Sequence, residues 1–95
     1  MEFFMNEQQR PIVVPGFTAQ KFNEDILLHN KEKTQAVYLN EMAYTIWQLC
    51  DGKLSVAEII TQLQQSYPNK FSDIKKYVIK NLESLKEDGV ITLQE

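Results

Sequence analysis

The spacing of apolar residues changes at Asn40, and the change divides the chain into an extended half and a helical half. Just upstream, Thr34-Gln-Ala-Val-Tyr-Leu39 alternates, sending Gln35, Val37 and Leu39 to one face of a strand and Thr34, Ala36 and Tyr38 to the other. Just downstream, Ala43, Ile46, Trp47 and Cys50 recur at helical spacing behind Asn40, whose side chain suits an N-cap. A chain written this way forms strands first and helices after.

The extended half contains two further strand signals. Pro11 and Pro15 bracket Ile12-Val13-Val14, so no helix runs through the start of the chain, and residues 1–16 read as a partly flexible N-terminal arm or short edge segment. Phe17 to Phe22 and Ile26 to His29 flank the turn residues Asn23-Glu24-Asp25 as a hairpin. The polar reversal Asn30 to Lys33 leads into the third strand, Thr34 to Leu39, which completes an antiparallel meander.

Punctuation in the helical half is stronger. Asp51-Gly52 stops the first helix, and Ser55-Val-Ala-Glu58 is a capping box for a second helix with Val56, Ile59, Ile60 and Leu63 on its apolar face. Pro68 ends it. Ser72 or Asp73 caps a third helix carrying Ile74, Val78, Leu82 and Leu85, and Gly89 closes it in a left-handed conformation. Val90 to Leu93 returns as a short strand. The expected fold is α+β and winged-helix-like, a three-stranded antiparallel sheet followed by a three-helix bundle, with residues 17–95 as its single domain.

Composition narrows the function classes. Ninety-five residues hold one domain, and a formal charge of -3 provides no field for a polyanion. One cysteine forms no internal disulfide, and Cys50 with His29 falls short of a zinc site. The N-terminus lacks the basic start and long apolar stretch of a secretory signal, so a cytoplasmic protein away from membranes is expected.

A search for catalytic groups yields structural readings instead. His29 lies on a strand with no second imidazole, and Cys50 shares its helical stripe with Ile46 and Trp47, as a small buried hydrophobe does. Gly16, Gly52 and Gly89 belong to no phosphate-binding loop. Glu24/Asp25 and Glu87/Asp88 sit at turns or helix ends, where carboxylates are solvated or capping. These residues therefore point away from an enzyme, and no cofactor is expected.

Four segments carry a resemblance: Leu39-Asn-Glu-Met-Ala43, Ile46-Trp-Gln-Leu-Cys-Asp-Gly52, Ser55-Val-Ala-Glu-Ile59, and the ending from Leu82 through Leu85 to Gly89-Val-Ile91. Together they resemble the PqqD family over about Phe17 to Ile91. The matched positions are mostly caps and core, and Asn81 departs from the pattern where an apolar residue is expected.

The resemblance implies a peptide chaperone, a recognition element for ribosomally made, modified peptides. Such a module binds the leader of a precursor by strand addition and presents it to a modifying enzyme. In pyrroloquinoline quinone (PQQ) synthesis that enzyme is a radical S-adenosylmethionine enzyme, and in lasso-peptide synthesis a leader peptidase. The implied groove lies between the third strand, Thr34, Gln35, Ala36, Val37, Tyr38 and Leu39, and the third helix, where Asp73, Tyr77, Lys80 and Ser84 follow three- and four-residue spacing. Tyr77 is the expected anchor for an apolar leader residue, and Lys76 or Lys80 the partner of an acidic one. Either Val37 or Tyr38 faces the groove, depending on which alternation is buried. An edge that suits a leader also suits another copy, so the oligomeric state stays open.

The alternative is a winged-helix DNA-binding regulator. Its weakness is charge, because the only arginine, Arg10, lies far from any expected helix. Nucleic acid is therefore not an expected partner.

Overall fold

The computed structural model describes residues 6–30, 32, 34–69 and 73–94. Its elements are β1 (Arg10–Val13), β2 (Thr18–Phe22), β3 (Asp25–Asn30), β4 (Gln35–Leu39), α1 (Glu41–Gln48), α2 (Val56–Ser66), α3 (Ile74–Glu87) and β5 (Ile91–Gln94). The expected α+β order is present, with the antiparallel sheet β2-β3-β4 followed by three helices. A second, two-stranded sheet pairs β1 with β5.

Local chemistry accounts for the helix boundaries. Asn40 accepts from the Ala43 amide at 2.8 Å, opening α1. Ser55 and Glu58 form the reciprocal capping box of α2. Asp73 accepts from the Lys76 amide at 3.0 Å, opening α3, while Ser72 lies outside the described residues. At the other end of α3, Gly89 at φ 76° lets its amide reach Lys86 O while the Val90 amide reaches Leu85 O. These two bonds are the Schellman pattern, and Val90 and Leu85 are both buried beneath it.

The core is one cluster. Ile26, Leu28 and Leu39 of the sheet meet Ile46 of α1, Ile59 and Leu63 of α2, and Val78, Leu82 and Leu85 of α3. Trp47 joins α1 to the chain's end by donating from Nε1 to Val90 O at 3.2 Å, and it stacks on Tyr44. Cys50 is buried and its thiol donates to Ile46 O. Burial pushes that thiol up to about 12, with the neighbouring Asp51 charge adding to the rise, so it stays protonated and unreactive.

Of the segment read as an arm, residues 1–5 lie outside the described residues, and the rest is tied to the domain. Arg10 to Val13 pair antiparallel with Ile91 to Gln94. Upstream, Gln9 O and Glu7 O accept from the Val56 and Ala57 amides at 2.9 Å each. Together with the Ser55 hydroxyl, they satisfy amides of the first turn of α2 that no intrahelical carbonyl can reach.

The expected third strand is one residue too long. Thr34 has φ 50° and belongs to the turn, so β4 starts at Gln35. The reversal begins where Asn30 Oδ1 accepts from the Glu32 amide at 3.1 Å, an Asx turn that carries the chain past the start of the alternation.

Candidate peptide-binding cleft

The register of the sheet determines which backbone groups of β4 are free. Phe22 pairs with Asp25 across Asn23 and Glu24, and Asn23 has φ 55°, as the first central residue of a tight hairpin turn. In such a turn the flanking pair closes the hydrogen bond, so Asp25, Leu27 and His29 direct their amides and carbonyls toward β2. The Thr18 hydroxyl donates to His29 O, in agreement. Ile26, Leu28 and Asn30 therefore face Leu39, Val37 and Gln35 of β4. Ala36 and Tyr38 turn their N–H and C=O groups away from β3, toward an edge that no strand among the described residues covers.

Side chains alternate independently of that edge. Val37 packs against the core and Leu39 is buried in it, whereas Ala36 is exposed and Tyr38 is 69% exposed. The buried alternation is thus Gln35, Val37 and Leu39.

Beside the free edge is a cleft of about 220 Å³ lined by Tyr38, Leu39, Asn40 and Ala43 on one side and Asn81, Ser84, Leu85 and Asp88 of α3 on the other. Gln35 ties β4 to the C-cap of α3 by donating from Nε2 to the Asp88 carbonyl. Tyr38, Leu39 and Ser84, three of the expected residues, meet here. Tyr77 lies one helical turn before Asn81 and is partly buried against the core, and Asn81 Nδ2 donates to Tyr77 O at 2.9 Å. Asp73, Lys76 and Lys80 lie further toward the N-terminus of α3 and are exposed, outside the lining of this cleft.

Asn40, Ala43, Asn81, Leu85 and Asp88 line the cleft without having been singled out for it. The signal for two of them was available: Asn81 and Asp88 share a helix face with Tyr77 and Ser84, at three- and four-residue steps. The unexpected polar residue Asn81 is therefore a wall residue, while the core contacts come from Val78, Leu82 and Leu85.

The other outer strand offers a contrast. A cleft of about 390 Å³ lies near β2 and α1, lined by Ala19, Lys21, Ile26, Glu41, Tyr44, Thr45 and Tyr67. Although larger, it adjoins a guarded strand, since Lys21 sits within β2 and pairs with Glu41 at 3.2 Å. Edge lysines discourage strand addition, and β4 carries neither a charge nor a proline. No group of side chains among the described residues is arranged to hold a metal ion, and none of their helices is long and apolar enough to cross a membrane.

No curated protein and no solved structure matches the chain. The family model for coenzyme PQQ synthesis protein D matches residues 25–91, which takes in β3, β4, the three helices and the first residue of β5. With well over half of its length matched, the chain belongs to the PqqD family.

Proposed function

We propose that this protein is a peptide chaperone that captures the leader of a ribosomally made precursor along the free edge of β4 and presents it to a modifying enzyme. The observation that carries the reading is the uncharged edge, with Ala36 and Tyr38 directed outward next to a cleft walled by α3. Family membership supports it, because the family's description places it in coenzyme PQQ synthesis.

Energetics assign separate roles to backbone and side chains. Two outward residues supply four ladder bonds, and at a net ~1 kcal/mol each these roughly offset the ~2 to 5 kcal/mol needed to order a disordered segment. Side-chain contacts must add the remaining affinity. Tyr38 stands over the exposed face, Leu39 and Leu85 form the apolar base, and Asn81 and Ser84 supply hydrogen-bonding groups. A peptide extending toward the N-terminus of α3 meets Lys80 and Tyr77, then Lys76 and Asp73.

The partner enzyme belongs to the same biosynthesis: a radical S-adenosylmethionine enzyme if the product is a quinone cofactor, or a leader peptidase if it is a lasso peptide. The chaperone itself breaks no bond. Titration of a fluorescently labelled leader, taken from a precursor encoded beside this protein, tests the reading. Saturable binding with a dissociation constant on the order of tens of micromolar or tighter is expected. A flat titration with folded protein would refute it.

A further inference from the structure

The polar groups of the cleft constrain what the peptide must carry. Among the residues lining it, Asp88 bears the only formal charge. Asp88 is the C-cap of α3, and its backbone carbonyl already accepts from Gln35. Its carboxylate has no ion-pair or hydrogen-bond partner among the described residues.

That placement runs against helix electrostatics. The C-terminal end of a helix carries partial negative charge and favours cations, so an aspartate there is a local conflict. Lys86, the basic residue of the last turn, does not line the cleft. The neighbouring Asn81 commits one of its two amide hydrogens to Tyr77 O and has a side-chain oxygen that can accept, and the Ser84 hydroxyl can accept as well. A carboxylate, an amide oxygen, a hydroxyl and a helix C-terminus together suit a cation. Local conflicts of this kind without compensation inside the fold are expected at functional sites.

We infer that the peptide bound at β4 carries a lysine or arginine whose register places it against Asp88, and that Asp88 selects for it. The inference rests on the strand-addition reading above and adds a specificity determinant to it. Asp88 is exposed and its carboxylate makes no hydrogen bond or ion pair among the described residues, so its replacement should leave the scaffold folded.

A displayed library of random peptides, selected separately on the wild-type, Asp88→Asn and Asp88→Lys proteins, provides the test. Wild-type protein should enrich peptides with Lys or Arg at one position fixed relative to their apolar residues. A synthetic peptide from that pool should bind Asp88→Asn roughly five-fold more weakly, the size of one partly exposed charge pair. On Asp88→Lys the same position should switch to Asp or Glu. Enrichment with no charge preference, or a preference unchanged on Asp88→Lys, would overturn the inference while leaving strand addition standing. Failure to enrich any peptide, or enriched peptides that bind equally well when Ala36 is replaced by proline, would overturn the underlying reading and the inference with it.

Discussion

Proline substitution at two adjacent positions of β4 separates the binding edge from the sheet that supports it. Ala36 directs its amide outward, whereas the Val37 amide faces Leu28 in β3. Ala36→Pro therefore removes a donor that the folded domain does not use, and edge strands tolerate such prolines, so its stability cost should stay within about 1 kcal/mol. A bound leader, however, is left with an unsatisfied carbonyl at ~1 to 3 kcal/mol, which corresponds to affinity roughly 5- to 150-fold weaker. Val37→Pro leaves the Leu28 carbonyl unpaired within the sheet and removes packing against the core, a cost of about 2 to 4 kcal/mol to the fold itself. For a domain of this size, each 1 kcal/mol moves the melting temperature by ~4 to 8 °C. Thermal melts by circular dichroism, paired with fluorescence anisotropy of the labelled leader, read both quantities. An Ala36→Pro protein that melts near wild type and still binds at wild-type affinity would refute the edge assignment. So would a Val37→Pro protein as stable as Ala36→Pro.

Other expectations concern single residues. Tyr38→Ala, at an exposed cleft position, should weaken leader binding several-fold with little change in melting temperature, and an unchanged affinity would remove Tyr38 from the groove. Ser55→Ala should cost about 1 kcal/mol in chemical denaturation, since it removes the acceptor of the Glu58 amide, and a neutral result would show that Gln9 and Glu7 alone hold the start of α2. Cys50 should resist thiol reagents in the native protein at pH 8, and rapid stoichiometric labelling would contradict its burial. Because its folded pKa is raised from 9.0 to about 12, its contribution is complete below pH 9 and is lost as pH rises toward 12. Over that window wild type should lose roughly 1 kcal/mol per pH unit relative to Cys50→Ala, and parallel curves would refute the shift.

Much of the fold was legible because its signals are local. The Ser55-x-x-Glu58 box, the Asn40 and Asp73 caps and the Gly89 terminator each act within a few residues of themselves, and all occupy their expected places. The alternation of β4 was equally plain, apart from Thr34, whose β-branched side chain reads as strand although the Asn30 turn claims it. Pairing of β1 with β5 was hidden because it joins the two ends of the chain and leaves no periodic trace in either four-residue strand.

The site was legible in outline only. Periodicity says which side chains of β4 point inward, but the outward orientation of the Ala36 and Tyr38 backbone groups depends on the two-residue turn at Asn23 and Glu24 and on the register it imposes. Likewise, helical spacing groups Tyr77, Asn81, Ser84 and Asp88 on one face, yet only the crossing of α3 past β4 decides that the C-terminal half of that face walls the cleft. Lys76 and Lys80, prominent as charges in the sequence, lie beyond it.

Amide hydrogen exchange followed by NMR, with and without the leader peptide, tests the central claim most directly. In the free protein the Val37 amide should already be slow and those of Ala36 and Tyr38 fast, and on saturation with leader both should become protected while those of Ala19 and Lys21 at the β2 edge stay unchanged. Protection appearing at β2, or no new protection at Ala36 and Tyr38 when the leader is bound, would contradict the account.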